Sequence, residues 1–201
     1  MAVLPIRIFG DPVLRTRAHD VVDFDDALRK LADDMLQTMR AANGAGLAAN
    51  QVGVLKRLFT WELGPDLPDL AELDGDDIEQ VSADPAGLEP SRFGAVVNPQ
   101  IVETSEEMQD GDEGCLSFPG LFYPTERPLR VRVKASDVFG NPLDLVGEEL
   151  FARILLHEID HLNGVLFIDH LARHDKKEAM RRIREGELER NLEELAGGDD
   201  E

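Results

Sequence analysis

The HExxH sequence at 157–161 (His157, Glu158, Ile159, Asp160, His161) constrains this chain more than any other stretch, because it sets ionisable side chains inside an apolar helix. The spacing of Leu150, Phe151, Ile154, Leu155, Ile159 and Leu162 predicts a helix over 148–163 that is hydrophobic around much of its girth and therefore buried. Glu148 and Glu149 open it, and Gly164 stands where a left-handed residue caps a helix. At 3.6 residues per turn, His157 and His161 share one face, so both imidazoles can reach one metal ion. Glu158 lies beside the first of them, where its carboxylate could hold and deprotonate a water on that ion. The bland alternative is two hydrogen-bonded histidines and a solvated glutamate. Burying these groups unpaired among Ile and Leu is costly, however, and a metal with hydrogen-bond partners behind its ligands removes that cost.

Two protein ligands leave a site incomplete. The longer zincin pattern HExxHxxGxxH fails, since Gly164 matches but Phe167 stands in place of the last His. A downstream Glu, as in thermolysin-like enzymes, could be Glu178 or Glu185, both in a charged segment that reads as exposed. The better candidate is Cys115, set in a run between Gly114 and Gly120 where backbone can approach a ligand closely. One thiolate and two imidazoles form a tetrahedral set with a fourth position open for water. A nucleophilic role for Cys115 beside a His stays open, but it would leave HExxH without a purpose.

Between a first predicted helix, 25–42, and a strand lies Gly44, Ala45, Gly46, Leu47, Ala48, Ala49, Asn50, Gln51. It lacks the lysine of a phosphate loop and follows a helix, so it reads either as a tight crossover or as a site wall. Gln51 is a neutral donor that could face a carbonyl oxygen next to a metal.

Strands are expected over 54–60, 95–102 and 129–135, and a turn over 139–142. A third helix, charged and weakly amphipathic, is expected over 175–195. Strands around one buried helix indicate an α+β domain with small mixed or antiparallel sheets, not a doubly wound sheet. The organisation read from this is a catalytic domain over 1–174, a C-terminal helix over 175–196 and a disordered tail over 197–201. The chain of 201 residues has a formal charge of −20, but 62–113 holds 16 acidic residues against 1 basic, and 185–201 holds 8 against 1. Most of the charge thus belongs to an acidic insertion at about 62–91 and to the tail, which argues against a polyanion groove spread over the whole surface. A single Cys points to a reducing compartment, and no apolar run is long enough for a signal peptide or a membrane span, so a cytoplasmic protein without a membrane partner is expected.

Taken together and in order, GAGLAANQ (Gly44 to Gln51), EGCLS (Glu113 to Ser117) and HEIDH (His157 to His161) resemble the three motifs of peptide deformylases. The resemblance runs from about Pro5 to Leu171. It departs at the acidic insertion, at Ala45, where a larger aliphatic is frequent, and at Arg153, where an apolar pocket residue is frequent. It implies a metallo-amidase that removes the formyl group from the N-terminal formylmethionine of nascent chains, releasing formate. Cys115, His157 and His161 would hold Fe²⁺, with Zn²⁺, Ni²⁺ or Co²⁺ able to substitute. A metal-bound hydroxide would attack the formyl carbonyl, with Glu158 as general base and then acid, and with Gln51 and the Leu116 N–H meeting the oxyanion. Gly46, Glu113 and Gly114 would contact the substrate, the two glycines aligning its backbone like an added strand. Leu150 and Ile154 would line the pocket for the methionine side chain. A monomer is expected. The six basic residues Arg173, Lys176, Lys177, Arg181, Arg182 and Arg184 offer a ribosome contact, with a plainly solvated helix as the competing reading.

Overall fold

The structure is a computed structural model, and it describes residues 2–63 and 92–197. The acidic insertion beyond Leu63 and the tail beyond Gly197 lie outside the described residues.

The helix expected from the 3.6-residue pattern of Leu28, Leu31, Met35 and Met39 forms as α1 (Asp26–Ala41), capped by the Asp25 carboxylate on the Leu28 N–H. A short strand β1 (Gly46–Ala48) and a 3₁₀ turn (Ala49–Val52) follow. They lead to β2 (Leu58–Glu62) and β3 (Phe93–Thr104), antiparallel neighbours with Glu62 opposite Phe93. Two small ribbons come next: β4 (Met108–Gln109) pairs with β7 (Arg127–Pro128), and β5 (Asp112–Cys115) with β6 (Phe118–Pro124). Strands β8 (Arg130–Ser136) and β9 (Pro142–Glu148) complete an antiparallel five-stranded sheet in the order β1-β2-β3-β8-β9. The expected strands appear with shifted ends, whereas β5, β6 and β9 were not anticipated. Their sequences carry Pro, Gly and Asp, which dilute the period-2 signal.

The central helix α2 (Glu149–Leu162) and α1 cover the sheet from opposite sides. That is why β2 reads as a continuous apolar run: Leu58 and Thr60 face Met39 and its neighbours on α1, while Phe59 and Trp61 pack with α2. Phe151 of α2 lies on Trp61 with ring centroids 4.6 Å apart. Burying each such aromatic contributes on the order of 2–3 kcal/mol.

Strand β9 runs into α2 without a loop, so Glu149 takes φ 48° at the junction. Its N–H donates to the Leu129 carbonyl at 2.9 Å and its carbonyl accepts from Gln109 Nε2 at 2.8 Å. These bonds hold a conformation that a non-glycine residue otherwise avoids.

The single C-terminal helix expected over 175–195 is two helices, α3 (Arg173–Arg184) and α4 (Glu187–Gly197), separated at Gly186 with φ 76°. Glycine there lets the chain leave α3 through a left-handed residue. The bend turns Leu188 into a cluster with Phe118, Leu121, Tyr123 and Ala179, so α4 lies against β6. No helix among the described residues is long and apolar enough to cross a membrane.

Candidate metal and catalytic site

Helix α2, β5 and the 3₁₀ turn after β1 converge on one point. Cys115 Sγ lies 3.2 Å from His161 Nε2, which is 3.2 Å from His157 Nε2, and the ligand atoms of the three residues all lie within 4.8 Å of one another. Tetrahedral coordination with metal–nitrogen bonds of about 2.0–2.1 Å and metal–sulfur bonds of about 2.3 Å sets such atoms roughly 3.3–3.6 Å apart. Two of the three donor pairs are close to that spacing and the third is within 4.8 Å, so the set can close on one cation. It is the one group of three or more such donors found among the described residues.

The surroundings fit the same reading. His157 Nδ1 is 3.0 Å from Glu113 Oε2, a carboxylate that also accepts from Arg127 Nε at 2.7 Å and Arg153 Nη1 at 2.9 Å. Arg127 Nη1 goes on to Asp160 Oδ2 at 2.6 Å, and His170 Nε2 lies 2.8 Å from the same oxygen. Burial alone would push the Glu113 carboxyl up, but the hydrogen bonds and charge of His157 and Arg127 hold it well below the ordinary carboxylate range. An ionised Glu113 turns His157 so that Nε2 faces the cluster, the usual arrangement behind a metal-bound imidazole.

Gln51 is fixed by its own turn. Its Oε1 accepts the Ala48 N–H at 2.8 Å, so Nε2 must point the other way, to Ser117 Oγ at 3.2 Å and Cys115 Sγ at 3.5 Å. Glu158 is 3% exposed, and its Oε2 has no hydrogen-bond partner among the described residues. Burial pushes its carboxyl up to about 7, against the pull of the His157 charge. Gly46 makes room for it: a Cβ there would stand 2.8 Å from Glu158 Cδ.

The remaining predicted residues separate. Gly114 sits opposite Phe122, whose ring is 64% exposed and fills the space a Gly114 side chain would need. The Leu116 side chain packs on Gly44, where a Cβ would be 2.7 Å from Leu116 Cδ1. Ile154 is buried in the cluster of Trp61 and Leu155, and Leu150 is 41% exposed one turn earlier. Glu113 is enclosed by His157 and the two arginines, behind the imidazole. Arg153, in place of an apolar pocket residue, turns into that network and donates to the Thr125 carbonyl at 2.7 Å. Arg127, Arg153, Asp160 and Ser117 were not anticipated as site residues. Asp160 and Arg153 had a signal as charges in the apolar helix, and Ser117 as the end of the EGCLS motif; Arg127 had none.

The family model described as polypeptide deformylase matches residues 3–177. Among curated proteins, the peptide deformylase of Acidothermus cellulolyticus is 48% identical over 93% of this chain and 89% of its own. Among solved structures, a peptide deformylase from Legionella pneumophila superposes with a TM-score of 0.76 at 34% identity, covering 98% of this chain and 99% of that one. The peptide deformylase of Ehrlichia chaffeensis in complex with actinonin gives a TM-score of 0.77 at 36% identity, over 93% and 99% of the two chains.

Proposed function

This chain belongs to the polypeptide deformylase family of enzymes, and from that premise and the geometry around Glu158 we propose that it hydrolyses the formyl amide of N-formylmethionyl nascent peptides, releasing formate and a free amine. The observation that carries the reading is a buried Glu158 carboxylate, its Oε2 without a partner among the described residues, beside a Cys, His, His donor set able to hold one cation.

A divalent ion held by Cys115 Sγ, His157 Nε2 and His161 Nε2 supplies Lewis acidity toward the formyl oxygen and toward water. We take it to be Fe²⁺ on the family's usage; Zn²⁺, Ni²⁺ and Co²⁺ suit the same donors. Glu158 accepts the proton of the water that adds to the formyl carbon. It then gives that proton to the leaving nitrogen as the C–N bond breaks. A carboxyl pushed up by burial suits both halves of this transfer near neutral pH. Gln51 Nε2, held by its own Oε1 bond to Ala48, and the Leu116 N–H meet the negative oxygen that develops.

Strands β1 and β5 each lie at an edge of their sheets, and Gly46 and Gly114 are assigned to aligning an extended peptide as an added strand. Leu150 and Ile154 are assigned to the methionine pocket. Glu113 acts on substrate only indirectly, through His157. The protein is read as a cytoplasmic monomer. Its α3 offers Arg173, Lys177 and Arg184 to the ribosome; these have no ion pair among the described residues, whereas Lys176, Arg181 and Arg182 are paired with Asp169, Glu185 and Glu187.

The test is formate release from formyl-Met-Ala-Ser by the metal-loaded chain. The reading requires stoichiometric formate and a new N-terminal amine. Internal peptide cleavage without formate would instead mark an endopeptidase.

A further inference from the structure

We propose that Asn50 is a positioning residue for the ligand His161, accepting a hydrogen bond from its Nδ1–H while Nε2 is turned toward the metal. This rests on the reading of Cys115, His157 and His161 as the metal-holding set.

Asn50 precedes Gln51 in the 3₁₀ turn Ala49–Val52 and is 0% exposed. Its Nδ2 donates to the His161 backbone carbonyl, which also accepts the Gly164 N–H at 2.9 Å. A carbonyl only accepts, so this bond decides which end of the Asn50 amide faces the helix and leaves Oδ1 as the other. That Oδ1 is buried without a partner among the described residues, and so is His161 Nδ1. With Nε2 given to an ion, the neutral ring carries its one proton on Nδ1, as a donor in need of an acceptor. A buried orphan acceptor and a buried orphan donor thus belong to two residues already joined by a hydrogen bond, and pairing them satisfies both.

Asn50 then does for His161 what Glu113 does for His157, with a neutral acceptor in place of a charged one. Consecutive residues of one turn would serve two ligands, Gln51 at Cys115 and Asn50 at His161. Glu158 Oε2 is the other unpartnered buried acceptor of this region, and the experiment separates the two.

The test is ¹⁵N NMR of the full chain, loaded with Zn²⁺ and labelled at histidine, together with the rate at which a chelator removes the Zn²⁺. In Asn50→Leu, the His161 Nδ1–H should exchange with solvent at least about tenfold faster and Zn²⁺ release should rise about 10- to 100-fold, while the His157 signal stays. Asn50→Asp, which keeps an acceptor, should retain the His161 proton, and it carries the test if the leucine variant fails to fold. Glu158→Gln should leave that proton in place. Wild-type exchange and release in Asn50→Leu, loss of the proton in Asn50→Asp, or its loss in Glu158→Gln would each overturn the proposal. A wild-type chain that takes up no Zn²⁺ at these ligands would sink the metal reading as well, so the two failures are distinguishable.

Discussion

Helices α2 and α3 are similar in length and both carry several ionisable residues, yet they handle charge in opposite ways. On α2, Arg153, His157, Glu158 and His161 are all buried, the two histidines in the donor cluster with Cys115 and Arg153 on Glu113 behind it. On α3, Arg181 pairs with Glu185 at 2.8 Å with both side chains more than half exposed, and Lys176 pairs with Asp169 at 2.9 Å. Identical residue types are therefore costly commitments in one helix and solvated decoration in the other. Coulombic pairing is strong where water is excluded and weak where it is not, and a buried charge that loses its partner cannot turn to water instead.

Three substitutions probe that contrast. The largest effect is expected at the ligands: Cys115→Ala should abolish both stoichiometric metal binding and formate release, measured by metal analysis beside the peptide assay. An endopeptidase that used a downstream glutamate would keep its metal. The next concerns the carboxylate behind His157. Glu113→Gln leaves the buried Arg153 without a carboxylate partner and Arg127 with Asp160 alone, and should cost about 3–5 kcal/mol in thermal or denaturant unfolding. The pH dependence has a fixed sign. Glu113 is held well below its ordinary value of 4.5 in the folded state, so its stabilisation is complete above that pH and is lost as pH falls below it. The wild-type chain should lose stability across that acid range, and the Gln variant should show a flatter profile. Equal slopes would remove Glu113 as the anchor. The smallest effect belongs to α3: Arg181→Ala should change stability by no more than about 1 kcal/mol, and a loss of several would erase the contrast between the helices.

The same contrast explains what the sequence made legible. The buried helix could be read because its apolar period and its polar exceptions conflict, and Gly164 marked its end, observed at φ 76°. Cys115, Gln51 and Glu158 could be named because each belongs to a short local motif. Arg127 could not, since it reaches Glu113 and Asp160 only after β7 folds beside β4, and nothing near it in the chain announces a partner. The break at Gly186 was missed because both sides carry helix-compatible spacing, Met180 and Ile183 before it and Leu188, Leu192 and Leu195 after it, so the glycine alone marked the join. Arg153 was noted only as a departure, a charge one turn before His157 where an apolar residue is frequent; its direction is decided by long-range pairing with Glu113, which no local pattern announces. Local periodicity thus located the helix of the donor cluster, while the hydrogen bonds behind His157 depend on contacts far apart in sequence.

In the proposed mechanism Glu158 moves the proton and the three neighbouring side chains hold the metal, and the two tasks are separable. Glu158→Gln, assayed in parallel for bound metal and for formate from formyl-Met-Ala-Ser, tests it directly. The variant should keep wild-type metal content with formate release reduced by about 10²–10⁴-fold. A variant that keeps its metal and turns over near the wild-type rate would contradict it.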